Sequence, residues 1–383
     1  MTKAKRRTAR RKKSHRNEPA SGHSKPTASK GQAQGLAGAK GADRKAHAPE
    51  TSRRPASRGG AGPLSDAVTA PRYDHLTRDG IRVSYYADGP GHGRPLVLIH
   101  AINAAPSAFE LKPLFEHYRS QRRVYALELP GFGFSERSDR CYSPTLFSET
   151  IADFVSRAIG EPVDALALSL GSEFTAGAAL RAPDLFATLT FISPTGFSRR
   201  NLPNGQGKVA RWAHKVLSVP LWGSALFRLL GTRPSIRYYM KKSFVGRVPD
   251  EYIEYAYATA HQPGAHHAPL YFLSGQLFTH AARDALYGKL TQPVLVIRDR
   301  DPYVAFDRLP ALIAERANWQ EELVAPSLGL PHWERLAETT AVLDRFWAAH
   351  DGGPASEPEP TDAADPTPEP AGQAESAARG TAV

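Results

Sequence analysis

Cysteine is nearly absent from this chain of 383 residues, which contains only Cys141. A single thiol excludes a disulfide within the chain and a zinc site built on several thiolates. No uninterrupted run of 18 apolar residues occurs either, so the sequence predicts no transmembrane helix. The near absence of cysteine fits a reducing compartment. We expect a cytoplasmic location, with peripheral attachment to a membrane as an alternative.

Large apolar residues are scarce at both ends of the chain, and each end carries charge of mainly one sign. Residues 1–63 contain 17 Lys and Arg against three acidic residues, whereas residues 351–383 contain seven acidic residues against Arg379. Segments of this composition bury too little apolar surface to offset the entropy lost on ordering. The sequence therefore predicts a disordered basic arm over residues 1–71 and a disordered acidic tail over residues 351–383.

The basic arm begins with a run from Lys3 to Lys13 that contains paired arginines. No apolar stretch follows this run, so a twin-arginine export signal is the weaker interpretation. A solvated polybasic arm binds RNA, DNA or anionic lipid by counterion release without reading a base sequence. We expect a non-specific anionic partner, either a membrane surface or a nucleic acid. No nucleic-acid recognition motif accompanies the arm, which disfavours a specific nucleic-acid function.

Strand and helix patterns alternate through the middle of the chain. Continuous apolar runs, such as 95–100 and 163–169, are typical of strands that are covered on both faces. Several of the segments between such runs have helical spacing. This alternation predicts an α/β fold with a mostly parallel, doubly wound sheet. In sheets of this kind ligands bind beyond the C-terminal ends of the strands.

Ser169 stands where an apolar strand pattern changes into a helix pattern of small residues. Ala167 and Gly171 lie two positions on either side, and this spacing lets a serine occupy a sharp strand-to-helix turn with its hydroxyl exposed. Backbone N–H groups beside such a serine can stabilise a developing oxyanion. The same residues also fit an ordinary N-cap serine. The local pattern leaves both interpretations open.

Five segments, in this order, resemble the α/β-hydrolase family over residues 73–350. They read Leu98-Ile-His-Ala-Ile102, Glu128-Leu-Pro-Gly-Phe-Gly-Phe-Ser135, Ala167-Leu-Ser-Leu-Gly171, Pro293-Val-Leu-Val-Ile-Arg-Asp-Arg-Asp-Pro302 and Pro331-His-Trp-Glu334. The resemblance implies an α/β-hydrolase core in residues 72–194 and 291–350, with an inserted helical cap over residues 195–290. Five positions depart from the family's usual residues, namely Ala101, Glu128, Ala167, Arg298 and Pro331.

The resemblance also implies a catalytic triad. Ser169 is the expected nucleophile, His332 its general base, and Asp301 the acid that orients the histidine. Asp299 competes with Asp301 for the role of the acid, because both follow the same strand pattern. The resemblance locates an oxyanion hole at two backbone N–H groups, those of Ile102 and Leu170.

Asn103 lies next to this predicted oxyanion hole. It either adds a side-chain donor to the hole or forms an Asn turn. Among the histidines of the predicted cap, His261, His266 and His267 lie close together but have no carboxylate or thiol among them at ligand spacing, so we expect no metal site.

These residues predict a serine hydrolase that cleaves an apolar or lipid-like carboxylic ester through an acyl-enzyme, with no metal or organic cofactor. The alternatives are a C–C bond or amide hydrolase on the same triad, and a non-catalytic binding module tethered by its basic arm. Apolar and basic residues mix in the predicted cap from Trp212 to Leu230. We interpret them as a cap packed over the active site, with a basic amphipathic lid at a membrane interface as the alternative.

Overall fold

The computed structural model describes residues 63–199, 207–217 and 220–351. These residues form an eight-stranded sheet, with helices between the strands. The predicted acidic tail beyond residue 351 and the arm before residue 63 lie outside the described residues. The strands are β1 (Arg72–Leu76), β2 (Arg82–Asp88), β3 (Leu96–Ile99), β4 (Val124–Leu127), β5 (Val163–Leu168), β6 (Phe186–Ile192), β7 (Val294–Arg298) and β8 (Trp319–Leu323).

Helices follow most of the strands, and six of them lie between β6 and β7. In chain order the helices are α1 (Lys112–Tyr118), α2 (Pro144–Phe154), α3 (Gly171–Arg181), α4 (Lys208–Leu217), α5 (Pro220–Leu230), α6 (Arg233–Lys242), α7 (Asp250–Ala260), α8 (His267–Leu273), α9 (Ala282–Ala285), α10 (Leu309–Glu315), α11 (Pro331–Glu334) and α12 (Leu336–Ala348). A 3₁₀ turn, Ala108–Leu111, precedes α1, and a π-helical turn, Val155–Ile159, extends α2.

The strands are ordered β1-β2-β4-β3-β5-β6-β7-β8 across the sheet. The β1–β2 and β2–β4 pairs are antiparallel, and all the other pairs are parallel. The predicted α/β fold with a mostly parallel sheet is therefore confirmed. Parallel strands require crossover connections, which α1, α2, α3 and α10 provide.

Helices cover both faces of the sheet, because alternate side chains of each strand point to opposite sides. In β3, Val97 and Ile99 belong to one hydrophobic cluster and Leu96 and Leu98 to the other. The first cluster packs against α2 and α3, and the second packs against α1 and α12. The continuous apolar runs of the sequence are thus explained by burial on both faces.

The insertion between β6 and β7 is attached to the core by aromatic side chains. Tyr255 on α7 stacks on Phe109 with ring centroids 4.5 Å apart, and Tyr252 meets Trp333 edge-on at 5.1 Å. Phe109 precedes α1, and Trp333 lies on α11. The contacts therefore join α7 to the 3₁₀ turn that follows β3 and to α11.

The folded part of the chain begins earlier than the sequence indicates. The sequence places residues 63–71 in the disordered arm, but Ala67 and Val68 are buried. The Ala67 N–H donates to the Tyr86 hydroxyl at 3.0 Å. For residues 63–71 the predicted boundary was wrong, because buried side chains and hydrogen bonds to β2, α1 and α7 anchor this segment.

Candidate active site

Ser169 occupies the sharp turn between β5 and α3. Its φ is +52°, which is uncommon for a residue with a side chain. The Ser169 N–H donates to the Ile192 carbonyl at 2.9 Å, so the turn is fixed to the end of β6. The Ser169 side chain is partly exposed and makes no hydrogen bond to any other described residue. This geometry presents the hydroxyl at the N-terminal end of α3.

The small residues on either side of Ser169 have a steric cause. A Cβ atom on Gly171 would lie 2.5 Å from the His100 carbonyl oxygen, so only glycine allows α3 to approach β3 this closely. Ala167 is fully buried within β5. The sequence pattern around Ser169 therefore reflects the close packing of this turn against its neighbouring strand.

Two backbone N–H groups that the sequence assigns to an oxyanion hole belong to Leu170 and Ile102. Leu170 follows Ser169, and Ile102 follows the end of β3. Both residues are buried, and among the described residues neither N–H donates a hydrogen bond. These N–H groups therefore remain available as donors to a ligand, and their role in an oxyanion hole stays a prediction.

Glu110 organises the loop that carries Ile102, and sequence reasoning overlooked it. Its buried carboxylate accepts from the Ala101 N–H at 2.8 Å and from the Asn103 side-chain amide at 2.6 Å. Burial raises the pKa of Glu110 to about 7, despite these hydrogen bonds. The Asn103 carbonyl oxygen accepts from the Ala105 N–H at 2.8 Å, so Asn103 forms the Asn turn that the sequence offered as one alternative.

His332 is fully buried on α11, and its ring contacts the backbone of Glu110. His332 Nε2 lies 2.8 Å from the Glu110 carbonyl oxygen. Because a carbonyl only accepts, Nε2 carries the proton in the neutral ring, and Nδ1 is left bare and buried without a partner. Burial lowers the pKa of His332 to about 4. The ring is therefore neutral at pH 7, in the Nε2–H tautomer.

This tautomer is the opposite of the one that a triad base requires. A base for Ser169 accepts the serine proton at one ring nitrogen while donating N–H to the acid from the other. No hydrogen bond joins His332 to Ser169 or Asp301 among the described residues. The Trp333 indole donates to the same Glu110 carbonyl at 2.7 Å, which further fixes α11 in this position. The predicted roles of these residues stay predictions, and the observed contacts of His332 are structural.

Asp301 lies in the loop after β7, and its two carboxylate oxygens make different contacts. Oδ1 accepts from the N–H groups of Tyr303 and Val304 at 2.7 and 3.0 Å, which closes the turn. Oδ2 faces Gly329, where a Cβ atom would lie only 2.5 Å away. Burial raises the pKa of Asp301, and the two N–H donors oppose that rise. The loop after β8 thus meets the carboxylate at a residue without a side chain.

Asp299, the other candidate for the acid, binds a different part of the same loop. Its Oδ2 accepts from the Ser327 N–H at 2.8 Å, so it fixes the start of the loop after β8. This carboxylate therefore has a backbone donor, whereas Asp301 directs Oδ2 toward Gly329. The two residues are distinguished by their contacts, which spacing alone does not reveal.

Ser169 and Asp301 follow two strands that are not neighbours in the sheet. Ser169 comes directly after β5 and Asp301 shortly after β7, and β6 lies between these strands. Neighbouring strands are about 4.8 Å apart, so the two strand ends are separated by roughly 10 Å. Among the described residues no hydrogen bond joins Ser169 to Asp301, and no imidazole bonds to either residue.

Glu128, which departs from the family's usual Asp, is enclosed by the loop that follows β4. One oxygen accepts from the Phe134 N–H, while Oε1 is buried without a partner. Burial raises the pKa of Glu128 to about 7. Gly133 has a φ of +52°, and a Cβ there would lie 1.9 Å from the Glu128 carboxyl carbon. The glycine is therefore required by the longer acidic side chain and by the turn.

Comparisons with known proteins identify the fold. The Alpha/beta hydrolase family matches residues 96–345. The uncharacterized hydrolase YugF of Bacillus subtilis (strain 168) is 27% identical over 130 residues, which are 33% of this chain and 46% of YugF. The match thus spans about half the length of that curated relative.

Solved structures share the same architecture at low sequence identity. A thermophilic esterase from Thermogutta terrifontis has a TM-score of 0.58 and 18% identity, covering 74% of this chain and 100% of that one. The meta-cleavage product hydrolase CumD from Pseudomonas fluorescens IP01 has a TM-score of 0.56 and 17% identity, covering 72% and 97%. The family match, the sheet order and the serine turn agree, and the chain belongs to the alpha/beta hydrolase family.

Proposed function

We propose that this protein hydrolyses a carboxylic ester with Ser169 as its nucleophile. The observation that carries the proposal is the positive φ of Ser169 on the turn between β5 and α3, which exposes the hydroxyl at a helix N-terminus. Ser169 Oγ attacks the ester carbonyl, the alcohol leaves, and a water molecule then cleaves the acyl-serine bond. The unused N–H groups of Leu170 and Ile102 are suited to stabilise the oxyanion of both steps.

The proton of Ser169 passes to Asp301 through a bridging water in this proposal. Two observations support that route: His332 donates to Glu110, and burial raises the pKa of Asp301. A general base can act through one water. The same proton returns to the departing alcohol, so the first step is balanced.

A carboxylate that acts through water is a weaker arrangement than a positioned imidazole. Enzymes that lose a member of the triad retain about 10³- to 10⁴-fold acceleration over water, from the oxyanion hole and substrate binding. We therefore expect slow turnover. Water activation for the second step relies on the same route, so the acyl-enzyme is expected to accumulate.

A second candidate function is favoured by the tautomer of His332. If no group takes the proton of Ser169, the site binds carbonyl compounds without cleaving them, and the serine serves as a hydrogen-bond donor. The buried, unpartnered Nδ1 of His332 and the glycine beside Asp301 both support this second candidate.

Labelling with a fluorophosphonate probe, together with p-nitrophenyl ester turnover, tests the proposal. Ser169→Ala is expected to abolish both signals, and Asp301→Asn to slow labelling about 100-fold. Asn keeps the Oδ1 acceptor of the turn, so it is a conservative control for folding. Absence of labelling in the folded wild-type chain would contradict the proposal and favour the binding function.

A further inference from the structure

The insertion between β6 and β7 contains a long stretch without acidic residues. From Arg199 to Pro249 the chain has eleven Lys and Arg and no Asp or Glu. The helices α4, α5 and α6 lie within this stretch. Of the twelve exposed large apolar side chains on described residues, eight lie between residues 209 and 245. Exposed apolar groups and positive charge are therefore concentrated in the same part of the molecule.

Helix α4 has three distinct faces. Ala210 is buried, and the neighbouring His214 ring lies 3.8 Å from the Tyr271 ring, so this face packs against α8. Val209, Trp212 and Val216 share a second face at helical spacing. They are exposed by 72%, 68% and 48%. Among the described residues, this apolar face is exposed and belongs to none of the hydrophobic clusters.

A basic face lies beside the apolar face of α4. Lys208, Arg211 and Lys215 each precede one of the exposed apolar residues by a single position, and they form no ion pair among the described residues. Long basic side chains can lie along apolar surface while their charged ends remain in water. Within the part of the chain that the structure describes, α4 therefore combines an exposed apolar stripe with three cations that form no ion pair.

The same combination continues on the next helices. Leu229 on α5 is 64% exposed, and Tyr238 and Tyr239 on α6 are also exposed. On α6, Lys242 lies over the Tyr238 ring at 4.2 Å, and Lys241 has no acidic partner among the described residues. Aromatic rings next to lysines are typical of surfaces that insert into the headgroup region of a membrane.

We propose that α4 and the exposed residues of α5 and α6 dock on an anionic lipid bilayer. In this arrangement Val209, Trp212 and Val216 enter the interface, while Lys208, Arg211 and Lys215 contact anionic headgroups. The docking is a property of the insertion and does not depend on the chemistry of Ser169. Among the described residues no helix combines the length and apolar character needed to cross a bilayer.

Other occupants of this surface fit less well. A second copy would bring two basic faces together, which like charges oppose. The acidic tail has the complementary charge, but residues 352–383 contain no Leu, Ile, Phe, Tyr, Trp or Met to cover the apolar stripe. The basic arm carries charge of the same sign as the surface. An anionic lipid surface provides both negative charge and an apolar layer.

Vesicle flotation with the full chain tests the proposal. We expect binding to vesicles of phosphatidylcholine that contain roughly one third phosphatidylglycerol, and little binding to phosphatidylcholine alone. About 0.5 M NaCl shortens the Debye length to roughly 4 Å, which suppresses the electrostatic contributions of the basic arm and of the α4 cations and leaves the apolar contribution of α4 to be measured. Under that condition V209S/W212S/V216S should weaken binding about tenfold relative to the wild-type chain.

A matched control removes exposed leucines from elsewhere on the surface. Leu76 and Leu323 are 60% and 61% exposed and lie on β1 and β8, so L76S/L323S should bind as the wild type does. At about 0.1 M NaCl, where the Debye length is about 10 Å, K208Q/R211Q/K215Q should reduce the preference for phosphatidylglycerol. Ser169→Ala should bind unchanged, which separates this proposal from the proposed hydrolysis.

Brominated lipid provides a local readout for insertion of Trp212. Such lipid should quench part of the tryptophan emission, and the quenched part should disappear in Trp212→Phe. The docking proposal is overturned if the wild type does not bind anionic vesicles, or if V209S/W212S/V216S binds as tightly as L76S/L323S. It is also overturned if V209S/W212S/V216S changes the oligomeric state of the chain and leaves lipid binding intact.

Discussion

Replacing His332 distinguishes a catalytic imidazole from a structural one. In His332→Leu the bond to the Glu110 carbonyl is lost, which costs about 1 kcal/mol. The Glu110 carbonyl keeps the Trp333 indole as a donor. The buried, unpartnered Nδ1 is removed, which stabilises the folded chain by about 1–3 kcal/mol. We therefore expect the free energy of unfolding to change by no more than roughly 2 kcal/mol. His332→Ala leaves a cavity instead and should cost about 2–4 kcal/mol.

Acidification provides a second measure of the structural role. The folded pKa of His332, about 4, is below its ordinary value of 6.5, so the unfolded chain binds the proton more tightly. The stability contributed by the neutral ring is complete above pH 6.5 and is lost as the pH falls to 4. Over that window the loss amounts to about 3 kcal/mol for a fully buried ring. Urea unfolding of His332→Leu should lack this part of the pH dependence.

Fluorophosphonate labelling of the same variants decides the catalytic question. If His332 is structural, Ser169 in His332→Leu should react within about threefold of the wild-type rate. A triad base behaves differently, because its removal lowers turnover by about 10⁴-fold or more. Labelling of His332→Leu as weak as that of Ser169→Ala, in a chain of unchanged stability, would falsify the reasoning. In that case the ring leaves the Glu110 carbonyl during the reaction.

Three further changes test other parts of the site. Gly171→Ala should lower the rate of Ser169 labelling at least about tenfold, because its Cβ would lie 2.5 Å from the His100 carbonyl. Gly91→Ala is the control, because a Cβ at Gly91 meets open space. Equal labelling rates in the two variants would contradict this account. Gly133→Ala should lower the free energy of unfolding by at least about 3 kcal/mol in urea, since its Cβ would meet the Glu128 carboxyl carbon at a φ of +52°. Glu128→Gln should remove part of the pH dependence of stability. The pKa of Glu128 is about 7 in the folded chain and 4.5 in the unfolded chain. The free energy of unfolding should therefore fall by about 3 kcal/mol as the pH rises from 4.5 through 7. A wild-type slope retained in the Gln variant would refute that assignment.

The sequence predicts the parts of the fold that depend on local sterics and on apolar periodicity. The runs around β3 and β5 are readable because both faces of these strands are buried. β1 was overlooked because Arg72–Leu76 is an edge strand with polar residues and a partly exposed pattern. β8 (Trp319–Leu323) is hard to predict in the same way, because three polar residues interrupt its apolar pattern.

The serine turn is predictable for the same reason, because its requirement for small neighbours is local. The contacts of His332 are not. Spacing indicates that a histidine follows β8, but Pro331 starts α11 there and the ring turns toward Glu110, which is distant in sequence. The position of Gly329 beside Asp301 likewise depends on how two loops meet. Such tertiary contacts leave no periodic signal in the residues themselves.

Glu110 connects the insertion to the end of β3 through hydrogen bonds. Its carboxylate holds the Ala101 N–H, and a hydrogen bond from Tyr252 on α7 helps to keep its pKa from rising further. A displacement of α7 that breaks the Tyr252 contact would therefore favour the neutral acid. A neutral carboxyl is a weaker acceptor for the Ala101 N–H, which would loosen the loop that carries Ile102. A displacement of α7 is thus coupled, through the protonation of Glu110, to the position of the Ile102 N–H.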